Sequence, residues 1–475
     1  MLKEVKTSDN LKFWTIDDKG KVTIIQSKLI EFISKSGFAK AETSSTDYLL
    51  VQQSSNTVRE IADHAIVDFV KAYLIKIKML DVYEAFIRGS SGYISKAKLR
   101  FLNTVEMVND KDEFDSSWFH FQNLSCQVGK KSTRSILRED IEGKIWESRI
   151  IQRECFPLLA QHPSQFQIFC YNLSGKNKDR FLALKTLVGY LLHRNQDPGN
   201  ARAIIFIDEN ISFDGTANGG TGKSLLLSAI GKCREVSVMD GKNIKSNSWF
   251  KNQRINRTTD VIFYDDVNKD FSLETLYSMI TTGITVEKKY QAEVYISPSD
   301  APKICISSNH IVGGTGGSTD IRRRCEFEVS NHYSESYTPA DDFGNYFFEG
   351  WDDQEWNNFY AFMMHCVQIY LRNGLIHAKP INLKKNGLIN ITSEDFVMFM
   401  EMGLVELNQW ISKDIVLKLF IEEFIYWNNM SPHKMTKWMK AYAKHNGIIY
   451  EDRKVGERYE FYLKSIKEEL SDEEE

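Results

Sequence analysis

Short apolar runs alternate with amphipathic stretches through the middle of the chain, and this alternation predicts strands followed by helices. Residues 203–207 predict a buried strand, and residues 224–232 predict the helix after it. Two more apolar runs, residues 260–266 and 302–309, end in polar side chains. Strands that are apolar throughout are typical of parallel sheets covered on both faces. We therefore expect an α/β core with a parallel sheet across residues 201–375.

The regions before this core carry different patterns. Residues 1–110 combine short strand-like pieces with amphipathic helices, one of them predicted at residues 57–77, and they predict an α+β domain to which we assign no role. Residues 111–200 are rich in aromatic side chains and predict a helical, collar-like region. Within it, residues 181–192 predict the helix that leads into the core.

The C-terminal region, residues 376–465, predicts a winged-helix-like domain. Residues 414–426 and 432–445 predict two helices, and residues 448–450 and 459–463 predict two strands joined by a charged turn. The second helix carries lysines three or four positions apart and therefore on one face. These residues suit the phosphates of duplex DNA: Lys434, Lys437, Lys440 and Lys444. A solvated surface is the alternative interpretation of this basic face.

Composition narrows the class of protein. The chain has 475 residues, of which 42% are apolar, and this is enough material for several domains. Its apolar runs are too short to span a bilayer, and its start lacks the apolar core of a secretion signal. The seven cysteines form no C-x-x-C pair. We therefore expect a protein of the reducing cytoplasm, with no membrane partner, zinc finger or disulfide framework.

The net charge of −4 does not argue against a nucleic-acid partner. Residues 466–475 form an acidic tail that we expect to be disordered, and it contributes much of the negative charge. Basic residues cluster elsewhere in the chain, and the local field decides whether a nucleic acid binds.

The most specific chemical signal is a glycine-rich stretch between the first strand and helix of the predicted core. It consists of Ala217, Asn218, Gly219, Gly220, Thr221, Gly222, Lys223 and Ser224. Such a loop offers successive backbone N–H groups and a helix N-terminus to phosphate oxygens. In it, Lys223 reaches the β and γ phosphates of a triphosphate, and Ser224 offers its hydroxyl to Mg²⁺. Ala217 replaces the usual first glycine of the motif, but the lysine–serine end is intact, so we predict an ATP and Mg²⁺ site.

Polar residues at the ends of the next two predicted strands support this site. Asp265 is placed to hold the Mg²⁺ shell, and Asp266 to orient and activate the attacking water. Asn309 is placed to hydrogen-bond the γ phosphate or that water. The arginine cluster at residues 322–324 follows a glycine-rich loop, and it can present a guanidinium to the nucleotide of a neighbouring subunit.

In this order, the motifs resemble those of the superfamily 3 helicases, in particular the helicase part of phage, plasmid and poxvirus-type primase-helicases. The resemblance covers residues 180–330 and implies a P-loop ATPase core of AAA+ type. It also implies that residues 282–290 form a hairpin that grips single-stranded DNA in a central pore. The side chains that it puts there are Lys288, Lys289 and Tyr290. It further implies Arg323 as the arginine finger, with Arg322 and Arg324 as alternatives.

The leading hypothesis is an ATP-dependent, ring-forming DNA helicase or translocase that acts in replication of a phage, plasmid or other mobile element. Its expected partners are single-stranded and forked DNA, further copies of itself in a ring that the resemblance makes a hexamer, and a separate primase or polymerase. The alternative is a DNA-binding replication initiator or loader in which ATP drives assembly. A protein-remodelling ATPase of the same broad fold is a third hypothesis. The sequence leaves open the exact subunit number, the polarity of translocation and the origin sequence.

Overall fold

The structure of the chain is a computed structural model, which describes residues 12–42, 48–105, 111–141, 143–211, 220–243, 252–287 and 293–464. Some residues of the predicted sites lie outside these ranges: Ala217, Asn218, Gly219, Lys288, Lys289, Tyr290 and the acidic tail 466–475. Among the helices of the described ranges, none combines the length and the apolar character that a bilayer-spanning segment requires.

The N-terminal region packs short strands against helices. Its strands are β1 (Trp14–Ile16), β2 (Val22–Ile24), β3 (Phe38–Glu42), β4 (Tyr48–Ser54) and β5 (Thr57–Glu60). Its helices are α1 (Gln26–Lys35), α2 (Asp63–Lys76), α3 (Leu80–Tyr93) and α4 (Lys96–Leu99). The helix predicted at residues 57–77 is present from Asp63 to Lys76 as α2. The first four residues of the predicted stretch are instead strand β5, because they pair antiparallel with β4 across a tight turn at Ser55, whose φ is +56°.

The next region differs from its prediction. Residues 116–151 are mainly strands: β6 (Ser116–Phe121), β7 (Leu124–Gly129), β8 (Thr133–Leu137), β9 (Ile145–Trp146) and β10 (Ile150–Ile151). The helices predicted for residues 111–200 begin only later, at α5 (Gln165–Leu173) and α6 (Lys178–Leu192). Fully buried apolar side chains lie two positions apart on these strands: Phe119 and Phe121 on β6, and Cys126 and Val128 on β7. A spacing of two is the period of a strand rather than a helix.

The core contains a five-stranded sheet. Its strands are β11 (Ala203–Asp208), β12 (Val236–Asp240), β13 (Val261–Val267), β16 (Lys303–Ser308) and β17 (Arg324–Val329), and a separate hairpin consists of β14 (Ile284–Val286) and β15 (Val294–Ile296). The helices are α7 (Lys223–Gly231), α8 (Tyr277–Thr281), α9 (Gly317–Arg323), α10 (Pro339–Phe343) and α11 (Asp353–Asn373). The order in the sheet is β12-β13-β16-β11-β17, and all neighbours are parallel, so the predicted α/β core is confirmed.

Both faces of this sheet are covered. On β11, Ile204 and Phe206 point into one hydrophobic cluster with the helices α5, α6, α7 and α11, and Ile205 and Ile207 point into a second cluster on the other face. Helices α6 and α11 cross closely at Gly189, where an added Cβ would lie 2.2 Å from the carbonyl oxygen of Cys366. Parallel strands bring their C-terminal ends to one edge of the sheet, and that edge carries the candidate site.

The C-terminal region follows the order two helices, one strand, two helices and two strands. Its elements are α12 (Leu383–Ile391), α13 (Glu394–Glu401), β18 (Trp410–Ser412), α14 (Lys413–Glu423), α15 (Pro432–Asn446), β19 (Ile449–Val455) and β20 (Arg458–Lys464). β20 lies between β18 and β19 in an antiparallel sheet. Phe396 on α13, Phe420 on α14, Trp438 on α15 and Phe461 on β20 share one buried cluster.

Candidate active site

Three neighbouring strands of the parallel sheet end in polar side chains at the same edge. β11 ends at Asp208, the end of β13 contains Asp265 and Asp266, and Asn309 follows β16 directly. Helix α7, which begins at Lys223, follows β11 along the chain. The structure therefore brings together the lysine, the two carboxylates and the asparagine that were predicted from widely separated motifs.

The turn into α7 requires glycine for two reasons. Gly222 has a φ of +98°, a conformation that residues with a side chain rarely adopt. An added Cβ there would also lie 2.8 Å from the ring of Phe169 on α5. Gly220 likewise has a positive φ of +86°. The end of the predicted phosphate loop is thus held close to the helical layer, and α7 starts at the residue that bears the predicted phosphate-binding ammonium.

Lys223 lies in a network of side chains at this edge. Its Nζ donates to Asp208 Oδ2, and it also donates to Asn309 Oδ1 over 2.8 Å. Asp208 is only 2% exposed, and its Oδ1 accepts a hydrogen bond of 2.6 Å from the hydroxyl of Thr221. The ammonium group is therefore positioned by the strands β11 and β16 together.

A bulge in β13 turns the predicted catalytic carboxylates toward the same network. The pairing of β13 with β16 shifts register between Tyr264 and Val267, and Asp266 has a φ of +54°. Ser307 links the two strands here, because its Oγ accepts from Asp266 N over 2.8 Å and donates to Asp265 Oδ1 over 2.8 Å. Non-glycine residues in this left-handed region are enriched at functional sites, and here the local strain sets the direction of both carboxylates.

The carboxylate of Asp266 bridges two other groups. Its Oδ1 accepts from Asn309 Nδ2 over 2.9 Å, and its Oδ2 lies 2.6 Å from Lys242 Nζ. The hydrogen-bonded Asp266 raises the pKa of Lys242. Lys242 follows Gly241, where an added Cβ would lie 2.4 Å from the carbonyl oxygen of Asp265. The chain after β12 thus passes directly against the bulge and brings the ammonium of Lys242 to Asp266.

The residues present fit a magnesium–triphosphate ligand. Mg²⁺ in such sites is bound by one or two carboxylates together with substrate phosphates and water. Asp265 supplies a carboxylate at the sheet edge, and Ser224 supplies an exposed hydroxyl in the first turn of α7. These are hard oxygen donors, as Mg²⁺ prefers.

The three arginines of the predicted finger cluster lie in different surroundings. Arg322 is exposed. The guanidinium of Arg323 lies 5.0 Å from the centre of the Tyr277 ring. Arg324 pairs with Asp320 at 3.1 Å and with Glu326 at 2.9 Å, and it also donates to two backbone carbonyls. Arg324 is therefore committed to contacts within its own subunit.

The segment that was predicted as a DNA-gripping hairpin begins as one. β14 and β15 pair antiparallel, with Thr285 opposite Tyr295, and Ile284 and Ile296 anchor the hairpin in the core. The residues that the prediction places at its end, Lys288, Lys289 and Tyr290, lie outside the described residues.

The basic helix face of the C-terminal region is present on α15. Its lysines are all exposed: Lys434, Lys437, Lys440 and Lys444. Lys434 Nζ lies 4.5 Å from the centre of the Trp427 ring, and Lys440 Nζ lies 3.8 Å from Asp452 Oδ2 on β19. The opposite face of α15, with Trp438 and Met439, is buried. The helix thus presents a row of cations beside the β19–β20 hairpin.

Sequence reasoning overlooked three residues of the network. Asp208 ends an apolar strand with a carboxylate, which is the signal that identified Asp265, so the same rule could have found it. Ser307 carried no signal, since a serine within a strand is common. Lys242 lies in a basic stretch of the kind that is usually a solvated face, and only the approach of β12 to β13 places it beside Asp266.

Comparison with family models finds one match. A family of unknown function, DUF5906, matches residues 216–324, which include the glycine-rich loop, the β13 carboxylates and the arginine cluster. Comparison with curated proteins finds no match.

Solved structures with some similarity include three from different proteins. The A form apo structure of the NrS-1 C-terminal region has 12% sequence identity, covers 92% of this chain and 99% of its own, and gives a TM-score of 0.42. A JCV helicase bound to a small molecule has 12% identity, covers 50% of this chain and 63% of its own, and gives a TM-score of 0.26. Drosophila ORC bound to DNA has 11% identity, covers 66% of this chain and 92% of its own, and gives a TM-score of 0.19.

Proposed function

We propose that the chain is an ATP- and Mg²⁺-dependent DNA helicase or translocase that works as a ring, in replication of a phage, plasmid or other mobile element. The observation that carries the proposal is the network at the sheet edge, in which Lys223, Asn309 and Asp266 are joined by direct hydrogen bonds. In this proposal residues 201–375 are the ATPase core, and residues 376–465 are a winged-helix-like DNA-binding domain.

Each side chain of the network has a role in the proposed hydrolysis. Lys223 exchanges its contacts with Asp208 and Asn309 for phosphate oxygens and neutralises the charge that grows there. Bound Mg²⁺ supplies further charge neutralisation at the phosphates. Asp266 orients the attacking water and accepts its proton, and Asn309 holds the water or the γ phosphate in line. Phosphoryl transfer depends mainly on such positioning and charge stabilisation.

A neighbouring subunit completes the site with an arginine. Arg323 is the proposed finger because the resemblance implies it, and the exposed Arg322 is the alternative. Arg324 is less suited, since it is committed to Asp320 and Glu326 of its own subunit. The test compares Arg322→Ala, Arg323→Ala and Arg324→Ala in ATP turnover at concentrations at which the chain assembles. Only Arg323→Ala should lower turnover by about a thousandfold without weakening ATP binding. Mixing it with inactive Lys223→Ala subunits should restore part of the turnover, because the mixture contains sites with an intact lysine and an intact finger.

The function itself is tested by strand separation. The full chain should separate a forked DNA duplex with ATP and Mg²⁺ but not with a non-hydrolysable analogue. Lys223→Ala should abolish separation and ATP turnover. A Lys223→Ala protein that separates strands at the normal rate would contradict the proposal.

The second candidate is a replication initiator or loader in which ATP drives assembly. The exposed lysines of α15 beside the β19–β20 hairpin favour it, because that face suits duplex DNA. An initiator should hydrolyse ATP without separating forked strands, and it should bind a particular duplex sequence much more tightly than others. A helicase should show the reverse in both measurements.

A further inference from the structure

A large cleft lies at the edge of the parallel sheet opposite the network. It has a volume of about 910 Å³ and is bordered by Glu235 and Asp260, which directly precede β12 and β13. Residues 147–153 form the facing wall, and Trp356 of α11 contributes to the lining. These strands are five and seven residues long, so the cleft lies roughly 15–25 Å from the carboxylates of the active site.

The charge of this cleft differs in sign from that of the whole chain. Six basic residues border it, namely Arg59, Arg149, Arg153, Arg194, Lys232 and Arg234. Its acidic residues are Glu60, Glu147, Glu235 and Asp260. The surplus is positive, whereas the chain has a net charge of −4. An anionic ligand is therefore favoured at this place and not over the surface in general.

Two of the buried guanidinium groups are paired with carboxylates. Arg149 Nη1 lies 2.7 Å from Asp260 Oδ1, and Arg194 Nη2 lies 2.8 Å from Asp112 Oδ1. All four side chains are at most 3% exposed. Each pair is neutral as a unit, so these pairs form a floor to the cleft. Among the other border residues the surplus is one positive charge, since four are basic (Arg59, Arg153, Lys232 and Arg234) and three are acidic (Glu60, Glu147 and Glu235). Arg153 also pairs with the exposed Asp353 at 3.4 Å.

Arg234 provides buried positive charge without such a partner. Its guanidinium donates to the carbonyl oxygens of Leu192 and Cys233 and to the hydroxyl of Ser117. No carboxylate in the described part of the chain forms an ion pair with it. Burial lowers the pKa of Arg234 to about 10, so the group remains charged at neutral pH. The guanidinium lies 4.0 Å from the centre of the buried Phe119 ring, and the charges of Asp112 and Asp260 partly offset its own. Its contribution to the cleft is therefore a positive field rather than a direct contact.

Aromatic rings lie beside the basic groups at the rim. Lys232 Nζ lies 5.1 Å from the centre of the Phe348 ring, and the Arg153 guanidinium lies 4.4 Å from the centre of the Trp356 ring. Trp118 is partly exposed in the same cleft. Cationic groups next to aromatic faces are the arrangement with which proteins bind the phosphates and the bases of single strands.

We propose that this cleft binds a segment of single-stranded nucleic acid, with phosphates near Lys232 and Arg153 at the rim and a base against Trp118. The volume lies at the upper end of the range for ligand sites, which favours a strand over a single nucleotide. The site goes beyond the proposed function, because it does not depend on hydrolysis and lies away from both the nucleotide network and the β14–β15 hairpin.

The test measures binding of a labelled oligothymidylate to the full chain by fluorescence anisotropy over a series of salt concentrations. All proteins carry Lys223→Ala and are measured without ATP, so that the nucleotide site does not contribute. The variants are Lys232→Gln with Arg153→Gln, and separately Trp118→Ala. The matched control is Lys71→Gln, an exposed lysine on α2. Circular dichroism verifies that each variant is folded.

The double glutamine variant should bind about tenfold or more weakly, and its salt slope should fall by about 1.4, since each lost phosphate contact on a single strand contributes about 0.7. Trp118→Ala should bind about fivefold or more weakly with an unchanged slope. Unchanged affinity in all cleft variants would overturn the proposal. So would thymidine monophosphate that competes as well as unlabelled oligothymidylate, or a duplex that binds as tightly as the single strand. In proteins that keep Lys223, the cleft variants should leave DNA-independent ATP hydrolysis unchanged. Loss of strand binding at the cleft is therefore measured separately from loss of the proposed ATPase activity.

Discussion

Buried charged groups lie at both edges of the parallel sheet, but the two edges hold them differently. At the C-terminal edge, the ammonium of Lys223 is held by the side chains of Asp208 and Asn309. At the N-terminal edge, the ammonium of Lys303 donates to the backbone carbonyls of Tyr190 and His193, and burial holds its pKa well below the usual value. Side-chain partners can be exchanged for a ligand, whereas backbone carbonyls of a packed core cannot. In the proposed function, the same types of residue therefore serve hydrolysis at one edge and architecture at the other.

The strained backbone supports this distinction. Asp266 has a left-handed φ at the C-terminal edge, within a register shift of β13. At the opposite end of the same strand, Asp260 precedes a regular parallel pairing and forms a buried ion pair with Arg149. Strain persists only where the surrounding structure enforces it, and the contact of Gly241 with the bulge provides that enforcement.

The largest expected effect is on activity, at the C-terminal edge. Lys223→Ala should lower ATP turnover by roughly a thousandfold or more, because it removes a charge that stabilises the transition state. Steady-state phosphate release measures this loss. The matched control is Lys232→Ala at the other end of α7, which should leave DNA-independent turnover unchanged.

A double variant separates chemistry from stability at this edge. Lys223→Ala leaves the carboxylate of Asp208, 2% exposed, without its ammonium partner, and this should reduce the free energy of unfolding. Adding Asp208→Asn should restore stability but not turnover. Recovery of turnover in the double variant would show that the lysine acts only through the fold.

The next effect concerns stability, at the N-terminal edge. Arg194→Ala should lower the free energy of unfolding by about 3–5 kcal/mol, because the buried carboxylate of Asp112 loses its partner. Urea-induced unfolding followed by tryptophan fluorescence measures this change. Lys71→Ala on the exposed face of α2 should change it by about 0.5 kcal/mol or less. An Arg194→Ala protein as stable as the parent would contradict the claim that the charged residues of the N-terminal edge stabilise the fold.

The N-terminal edge should also respond to pH. Burial lowers the pKa of His193 to about 4, so between pH 6.5 and 4 the unfolded chain binds a proton at this residue that the folded chain does not. Stability should therefore fall with decreasing pH in this window, by about 1.4 kcal/mol per pH unit for this group. His193→Gln should show a shallower fall than the parent between pH 6.5 and 5 in urea unfolding. Equal slopes in the two proteins would contradict the assignment.

The smallest effect is a change in nucleotide affinity. Asp208 competes with phosphate for the ammonium of Lys223, so Asp208→Asn should lower the KM for ATP by about tenfold or less, in keeping with one charged hydrogen bond. Its kcat should change less than its KM. A raised KM would instead mean that Asp208 positions the lysine for the phosphate, and ATP titrations at fixed Mg²⁺ distinguish the two.

Much of the fold could be predicted from local patterns. The strands at 203–207 and 302–309 and the helix at 432–445 lie within about a residue or two of their predicted limits, as is usual for strongly patterned segments. The strands at 116–151 could not be predicted in this way, because short segments rich in aromatic residues lack a decisive period and form strands only when they pair with neighbouring strands. Pairing with β4 decided the strand at 57–60 in the same way.

By itself, the sequence determined the local structure of the core and the kinds of side chain at the ends of its strands. Apolar runs bounded by glycine or by carboxylates leave few alternatives, since the burial of their side chains and the breaks at their ends are local properties of each segment. Only the tertiary structure decided which side chains meet. Asp208, Ser307 and Lys242 join the network because parallel strands distant in sequence align their ends, and the cleft around Arg234 exists because three regions of the chain pack against one edge of the sheet.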